Sequence, residues 1–228
     1  MDQIFSAARV KMVEEQIASR GIVSEAVLGA MRSVPRHLFV PENLQSSAYI
    51  DSPLPIGCGQ TISQPYIVAY MTERLAPSPG MKILEVGTGS GYQAAILAFL
   101  GCEVYTLERV GELAAAAAEV LALQGWSNVR VMHGDGFSGW RGEAPFDAIL
   151  VAAAPKEVPA ELVEQLAEGG RMILPVGGQD SVQYLMLLTK TGDSITQELL
   201  LPVRFVPMLG GTLALQRQAA PDEKWTAP

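Results

Sequence analysis

The stretch "KILEVGTGSGYQ", residues 82–93, joins an apolar run to a cluster of glycines and the start of a second apolar run. The run 83–86 predicts a buried β-strand, and the turn after it is expected to open a helix. Glycine lets the backbone approach a ligand closely, and the free N–H groups of a helix N-terminus can bind it. We therefore predict a ligand site at this turn, which consists of Gly87, Thr88, Gly89, Ser90 and Gly91.

Strands and helices alternate along the chain on both sides of this turn. The predicted strands are 82–86, 103–107, 128–133, 146–151 and 171–175, and the predicted helices are 91–100, 111–124 and 157–168. Two further strand-like runs, "VQYLMLLTK" and "ITQELLLPVRFVP", are joined by the turn "TGDS" and predict a hairpin. The expected fold is α/β: a doubly wound, mostly parallel, seven-stranded sheet with a C-terminal antiparallel hairpin.

The chain before the alternating pattern predicts an N-terminal helical extension. Residues 7–20 form an amphipathic pattern with Val10, Val13 and Ile17 on one side, and Gly21 is expected to end that helix. Ser24 is a candidate N-cap for a second helix.

These patterns give a three-part division of the chain. We assign 1–63 to N-terminal helices and an ordered wrap over the site, within the same domain as the ligand-binding core, 64–215. Residues 216–228 are polar and are expected to form a flexible tail.

The spacing of the glycines and the acid before them indicate which ligand the turn binds. A dinucleotide fingerprint requires G-x-G-x-x-G, but here the third glycine is residue 91 and Tyr92 occupies the next position. Glu85 lies at the strand end, where a carboxylate suits a cation better than a pyrophosphate. S-adenosylmethionine (SAM) carries a sulfonium and an ammonium and no phosphate, so SAM is the expected ligand. An ordinary turn with a buried, hydrogen-bonded Glu85 remains the alternative.

Acidic residues also end the next two predicted strands. Glu108 lies 21 residues beyond Gly87, a distance that suits hydrogen bonds to a ribose diol. Asp135 could accept a hydrogen bond from the adenine amine, while the Gly136 N–H meets a ring nitrogen. A solvated acid at 108 and a plain turn aspartate at 135 are the alternatives. Because the carboxyl ends of parallel strands share one crevice, the three features support each other.

Composition argues against several other functions. The formal net charge is −8, and the 16 Lys and Arg residues include no run of three, which disfavours nucleic acid as a partner. The sequence contains two cysteines, two histidines and no zinc-ligand spacing, so neither a disulfide framework nor a metal site is expected. The N-terminus does not read as a signal peptide, and no apolar run is long enough to span a membrane. We expect a cytoplasmic protein with no membrane partner.

Several stretches together resemble a known family. "EVGTGSGY", Glu108 and "GDG" are similar to class I SAM-dependent methyltransferases, which have a Rossmann-like fold. The sequence resembles the protein-L-isoaspartate O-methyltransferase family more closely, over about residues 9–208. The stretches that carry this resemblance are "MVEEQIASRGI", "VPRHLFVPENL", "PLPIGCGQTISQPYIVAYMTERL" and "GGRMILPVG". The third, residues 53–75, is the most specific, because generic methyltransferases lack it.

The resemblance implies an activity: methylation of the α-carboxylate of L-isoaspartyl residues in damaged proteins, which initiates their repair to aspartyl. SAM is then the cofactor, isoaspartyl proteins and peptides are the substrates, and the enzyme is expected to be a monomer. Two positions depart from the family pattern. Cys58 replaces a residue that is often polar, and Leu209 in "VPMLGG" replaces a threonine, which puts a hydroxyl contact there in doubt.

The segment "GCGQTISQP", residues 57–65, is polar and glycine-rich but uncharged. It is expected to cover the crevice, with Thr61 and Ile62 at the cofactor and hydroxyl groups near the acceptor. The resemblance implies that Ser63 is the catalytic residue. We expect it to orient the carboxylate rather than attack, because no Ser–His–Asp set is evident. The alternative is that Ser63 caps the helix beginning near Pro65, and both roles could coexist.

A carboxylate acceptor is already ionised at neutral pH and needs no general base. The fourth strand of the core ends in "VAAAP", 151–155, which supplies none. His37 is expected to be a structural hydrogen-bond partner. Two other functions remain open: a SAM-dependent methyltransferase acting on a small molecule or RNA, and an inactive SAM-binding partner protein. The glycine spacing disfavours an NAD oxidoreductase.

Overall fold

The computed structural model describes residues 2–214 of the 228-residue chain. Its strands are β1 (Leu54–Gly57), β2 (Gln60–Ile62), β3 (Lys82–Val86), β4 (Glu103–Glu108), β5 (Val129–His133), β6 (Phe146–Val151), β7 (Leu166–Val176), β8 (Gln183–Thr191) and β9 (Ser194–Val203). A seven-stranded sheet has the order β5-β4-β3-β6-β7-β8-β9, and β1 and β2 form a separate antiparallel pair. Neighbours from β5 to β7 are parallel, whereas β8 is antiparallel to both β7 and β9. The expected sheet and C-terminal hairpin are thus confirmed.

The direction of strand addition reverses at the centre of the sheet. Ile83 of β3 pairs with Val104 of β4 on one side and with Ala148 of β6 on the other. After β3, the strands β4 and β5 are added towards one edge of the sheet. The chain then returns to the other side of β3, where β6 and the strands after it extend the sheet to the opposite edge. In open α/β sheets, ligands bind beyond the carboxyl ends of the strands at such a switch point. That point lies next to the glycine turn.

The helices are α1 (Asp2–Met12), α2 (Glu25–Ser33), α3 (Pro65–Leu75), α4 (Tyr92–Phe99), α5 (Gly111–Leu123) and α6 (Ala160–Glu164). Ser24 caps α2 by accepting a hydrogen bond from the Val27 N–H, as the sequence predicts. In α3, Pro65 occupies the first turn, where its missing N–H costs nothing, and Ala76 ends the helix in a left-handed conformation.

The prediction of helix 7–20 is only partly correct. The α-helix ends at Met12, a π-helical turn spans Val13–Ile17, and a 3₁₀ turn spans Ala18–Arg20.

The wide π turn changes which side chains face the core. Val13 and Ile17 are fully buried as expected, but Val10 is 39% exposed, so its predicted burial is wrong. The π turn contains more residues per turn than an α-helix. Apolar residues at α-helical spacing on either side of it therefore do not lie on one face. Gly21 has φ 93° and ends this region as predicted.

The prediction of helix 157–168 is also only partly correct, because the helix spans only Ala160–Glu164. The helix stops at Glu164, and β7 begins two residues later. The reason lies at Gln165, whose carbonyl accepts the Phe146 N–H at 2.9 Å. Its buried side-chain amide donates to the carbonyls of Ser138 and Glu161. These hydrogen bonds hold Gln165 next to β6, where β7 begins to pair with it.

Apolar side chains bury both faces of the sheet. The larger cluster contains Met31 and Phe39 from the N-terminal segment together with Ile83 and Ile96 from the core. The second cluster, which includes Leu162, covers the other face. The N-terminal segment thus contributes to the same packed interior as the sheet. The predicted tail, 216–228, lies outside the described residues.

Candidate active site

A cleft with about 930 Å³ of empty space, part of it open to solvent, lies at the carboxyl ends of β3, β4 and β6. Every site residue predicted from the sequence lines it except Gly91 and Asp135. The predicted residues in the lining are Thr61, Ile62, Ser63, Glu85, Gly87, Thr88, Gly89, Ser90, Glu108 and Gly136. The other lining residues are Gln60, Val68, Val86, Tyr92, Gln93, Leu107, Arg109, Ala152, Ala153, Val206, Pro207, Met208 and Leu209.

The glycine turn forms the floor of the cleft. Gly87 and Gly89 have φ values of 96° and 53°, a region that favours glycine. The N–H groups of Gly87 and Thr88 both donate to the Leu107 carbonyl, which fixes the turn against β4. Gly91 lies behind the lining, at the N-cap of α4, where an added Cβ would lie 3.1 Å from Leu121. Its contribution is therefore close packing of α4 against α5, with no direct place in the cleft wall.

Glu85 is fully buried, and its two carboxylate oxygens have different surroundings. Oε2 accepts from the Thr106 hydroxyl at 2.6 Å, and Thr106 is hydrogen-bonded in turn to Thr88. Oε1 has no hydrogen-bond partner among the described residues. Burial raises the pKa of Glu85 to about 8; the Thr106 hydrogen bond opposes this shift, and the charge of Glu108 adds to it. An unpartnered acceptor in the cleft lining suits a ligand with N–H donors and a positive charge.

Glu108 holds the glycine turn through its carboxylate. It is 5% exposed, so the alternative of a solvated strand-end acid is wrong. One oxygen accepts the Gly89 N–H at 2.9 Å, and the other accepts the Val110 N–H at 3.0 Å. Each carboxylate oxygen can accept more than one hydrogen bond, so both retain acceptor capacity towards the cleft.

Asp135 does not line the cleft. One of its oxygens accepts the Phe137 N–H at 2.9 Å, as a turn aspartate does, and the other accepts the Gly211 N–H at 2.7 Å. Gly136 is the residue of this turn that reaches the cleft. An added Cβ there would lie 2.5 Å from Cγ1 of Val86, so only glycine fits at this position without movement of a neighbour.

Ser63 connects β2 to α3. The N-cap of α3 is Gln64, and no side chain makes a capping bond there, so the alternative in which Ser63 caps the helix is wrong. No described residue hydrogen-bonds the Ser63 hydroxyl. The Ser63 carbonyl accepts from Nη2 of Arg36 at 2.8 Å, and Nε of Arg36 donates to the Ala48 carbonyl at 2.7 Å. Arg36 thus ties the main chain of Ser63 to the N-terminal segment.

Sequence reasoning did not identify Arg36 as part of the site. Its guanidinium is fully buried, lies over the Tyr92 ring, and has a pKa lowered to about 10 by burial. An arginine inside the apolar stretch "VPRHLFV" was the available signal, since a buried cation requires dedicated partners. His37 is a structural partner as expected: Nδ1 is hydrogen-bonded to the Tyr49 hydroxyl, and the ring stacks on Phe5.

Residues 206–213 are here called the strap; its first four residues line the cleft, and the sequence singled out only Leu209 among them. The strap is fixed to the end of β6, where the Ala154 N–H donates to the Val206 carbonyl and the Met208 N–H donates to the Ala154 carbonyl. Leu209 lines the cleft and is 49% exposed, so this position offers an apolar side chain. The sequence signal was only the uncharged, glycine-ended pattern "VPMLGG".

None of the helices within residues 2–214 is both long and apolar enough to cross a membrane. No cluster of three or more His, Cys, Asp or Glu side chains within this part of the chain could hold a metal ion.

The mostly parallel sheet, the glycine turn at its switch point and the acidic strand ends around one cleft define a class I SAM-dependent methyltransferase. A family model described as protein-L-isoaspartate(D-aspartate) O-methyltransferase matches residues 7–213. The chain belongs to this family.

Individual relatives agree with the family assignment. The chain is 55% identical over 197 residues to the protein-L-isoaspartate O-methyltransferase of Gloeobacter violaceus, covering 86% of this chain and 96% of the relative. A solved protein-L-isoaspartate O-methyltransferase superposes with a TM-score of 0.81 at 29% identity, covering 90% of this chain and 67% of the other. A Plasmodium falciparum protein-L-isoaspartate O-methyltransferase, solved in complex with S-adenosyl-L-homocysteine (SAH), gives a TM-score of 0.78 at 30% identity, covering 88% and 98%.

Proposed function

We propose that this protein transfers the methyl group of SAM to the α-carboxylate of L-isoaspartyl residues in damaged proteins, which initiates their repair to aspartyl. One observation carries the proposal. The Ser63 hydroxyl, which has no partner among the described residues, lines the same cleft as Glu85 and Glu108. An acceptor carboxylate and a cationic cofactor can therefore meet within one cleft.

The cofactor half of the cleft fits SAM. Oε1 of Glu85 would accept from the ammonium, and Glu108 would accept from the ribose hydroxyls. The backbone at Gly87 and Gly89 is open for close approach of the ligand. Gly136 would lie against the adenine ring, with its N–H towards a ring nitrogen. Bound SAM supplies a methyl group made electrophilic by the adjacent sulfonium.

The acceptor half needs no proton transfer. A carboxylate is ionised at neutral pH, and the end of β6 presents Ala152 and Ala153 in the cleft wall. Ser63 would donate a hydrogen bond that orients one oxygen, leaving the other free to attack in line with the methyl–sulfur bond. Thr61 and Ile62 would close the cleft over the cofactor. Catalysis would then rest on proximity, orientation and exclusion of water.

We also propose that the protein acts as a monomer in the cytoplasm. Cys58 and Cys102 are free thiols, as a reducing compartment requires. The net charge of −8 opposes close approach of a second copy. Light scattering during size-exclusion chromatography should give the mass of a single 24.4 kDa chain. A mass of twice that value would contradict the monomer.

An acceptor screen with methyl-labelled SAM tests the proposed function. The panel contains an isoaspartyl peptide, the same peptide with its isoaspartyl α-carboxylate converted to an amide, an RNA mixture and small carboxylic acids. Label should enter the isoaspartyl peptide alone, because only it offers both the branched backbone and a free α-carboxylate. Labelling of RNA or of a small acid in preference would support the alternative acceptors, and no labelling at all would support an inactive SAM-binding protein.

A further inference from the structure

Arg36 is a fully buried cation, and none of the ion pairs among the described residues involves it. Burial lowers the pKa of its guanidinium to about 10, so the group stays positively charged at neutral pH. Main-chain carbonyls take the place of a counter-ion: Nε donates to Ala48 at 2.7 Å, and Nη2 donates to Ser63 at 2.8 Å. Burial of a cation without a counter-ion is unfavourable, so packing alone does not explain an arginine at this position.

The guanidinium of Arg36 contacts two different parts of the cleft from behind its lining. On one side it holds the carbonyl of Ser63, and the hydroxyl of that same residue has no partner among the described residues. On the other side it lies over the ring of Tyr92, with Cζ 5.0 Å from the ring centroid. Tyr92 begins α4 directly after the glycine turn, and it also lines the cleft. One planar group is therefore in contact with both Ser63 and the floor of the cleft.

The ring of Tyr92 is itself held in place. Its hydroxyl donates to Sδ of Met31 at 3.7 Å, and Phe39 packs edge-on against it with the ring centroids 5.6 Å apart. Tyr92, Met31 and Phe39 are all buried. The ring thus gives the guanidinium a fixed surface to lie on, and Nη2 of Arg36 then determines where the Ser63 carbonyl lies relative to the glycine turn.

We propose that Arg36 is a positioning residue that sets the separation between the Ser63 hydroxyl and the bound cofactor. Arg36 lies outside the cleft lining, so it acts through the main chain of Ser63. The proposal rests on the function proposed above, in which Ser63 orients the acceptor carboxylate and the glycine turn carries SAM. The attacking oxygen must lie close to the methyl carbon and in line with its bond to sulfur, and a misplacement of about 1 Å can lower a rate about 100-fold. The role requires one fixed arrangement and no conformational change.

The Arg36→Lys variant tests the positioning role. It keeps the charge but replaces the planar fork with a single nitrogen, which cannot hold both carbonyls in the same geometry. Asn128→Ala is the matched control, because Nδ2 of Asn128 also donates to two carbonyls, those of Ala98 and Cys102, at 3.0 and 2.8 Å. Asn128 directly precedes β5, so it lies at the end of the sheet opposite the cleft.

The single-turnover rate of methyl transfer from SAM to an isoaspartyl peptide should fall about 10- to 100-fold in Arg36→Lys and stay within about twofold in Asn128→Ala. SAH affinity, measured by calorimetry, should stay within about threefold in both variants, because the lost interaction affects transfer and not cofactor binding. In a Ser63→Ala background, Arg36→Lys should lower the rate by no more than about a further twofold, because the hydroxyl that Arg36 positions is absent. A wild-type rate in Arg36→Lys, or an equal loss in both backgrounds, would overturn the proposal.

Hydrogen exchange gives a readout that does not depend on the acceptor. Amides at residues 62–64 should exchange faster in Arg36→Lys than in the unmodified protein or in Asn128→Ala, because the Ser63 peptide loses its anchor. If the unmodified protein methylates no isoaspartyl peptide, the proposed function fails, whereas this comparison still decides whether Arg36 fixes Ser63. Equal exchange in all three proteins would overturn the positioning role.

NMR of the arginine side chains in the unmodified protein requires no variant. The Arg36 guanidinium should show slowly exchanging Nη2 protons and hindered rotation about its Nε–Cζ bond, because the carbonyls of Ala48 and Ser63 hold it on two sides. A freely rotating guanidinium would overturn the positioning role even if Arg36→Lys does not fold.

Discussion

In the cleft lining, Oε1 of Glu85 has no hydrogen-bond partner among the described residues, and the Ser63 hydroxyl makes no hydrogen bond to any of them. One is a donor to an anion, and the other is an acceptor for a cation. Glu108 accepts from two backbone N–H groups, and Thr106 is hydrogen-bonded to Glu85 and Thr88. Under the proposed function, the Ser63 hydroxyl would bind the acceptor carboxylate and Oε1 of Glu85 the cofactor ammonium.

Ser63→Ala should reduce the methyl-transfer rate by roughly 10- to 1,000-fold, the range expected when one well-placed donor is lost. SAM affinity and the thermal midpoint should change little, since the hydroxyl caps no helix and bonds to no described residue. Single-turnover rates, calorimetry and thermal unfolding of the same variant measure the three quantities. Ser46→Ala, at an exposed serine outside the cleft, is the control. A wild-type rate in Ser63→Ala would remove Ser63 from catalysis.

The raised pKa of Glu85 predicts a pH-dependent cofactor affinity. With a pKa of about 8 against an ordinary value of 4.5, the buried carboxyl is mostly protonated at pH 7 in the cofactor-free protein. A bound ammonium favours the ionised form, so binding releases a proton, and SAM affinity should rise as pH increases from about 6 to 8. Calorimetry in two buffers of different ionisation enthalpy measures the proton release. The Glu85→Gln variant should show neither effect, and a pH-independent affinity in the unmodified protein would contradict the account.

At the scale of secondary-structure elements, sequence patterns located the strands well where apolar runs have clear ends. Strands 82–86 and 146–151 were predicted to the residue, because a glycine turn and a proline bound them. The C-terminal end of helix 157–168 was predicted wrongly, because the hydrogen bonds of Gln165 to Phe146 and Ser138 are long-range and leave no local signature. The site followed the same rule. Residues attached to strand ends were predicted, whereas Arg36 and the strap were missed because their roles depend on contacts between distant segments.

The turn after β5 provides a test at this scale. Gly136→Ala should weaken SAM binding about tenfold or more, because the added Cβ would meet Val86 at 2.5 Å and one of these two cleft residues must move. Gly142→Ala is the matched control: a Cβ at that position in the neighbouring 3₁₀ turn would meet nothing within 4 Å. Calorimetric titration with SAM compares the two. Equal affinities in both variants would show that Gly136 is not packed against the bound cofactor.

At the scale of the whole molecule, three separate parts of the chain build the cleft. The sheet forms the floor of the cleft, the N-terminal segment supports Ser63 through Arg36, and residues 206–209 of the strap complete the wall. The N-terminal segment and the sheet share one apolar cluster, so the segment that supports Ser63 and the floor of the cleft belong to one packed interior. We propose that the class I core binds SAM and that the N-terminal segment and the strap adapt that core to a carboxylate on a protein chain.

The proposed acceptor is the α-carboxylate of an isoaspartyl residue. The most direct measurement is the single-turnover transfer of labelled methyl from SAM to an isoaspartyl peptide and to its normal aspartyl twin, with the methylated atom located by mass spectrometry. We expect one methyl ester on the isoaspartyl α-carboxylate and no label on the twin, because only in the isomer does the chain continue through the side-chain carbonyl and leave the α-carboxylate free. Equal labelling of both peptides, or a methyl group on any other atom, would contradict it.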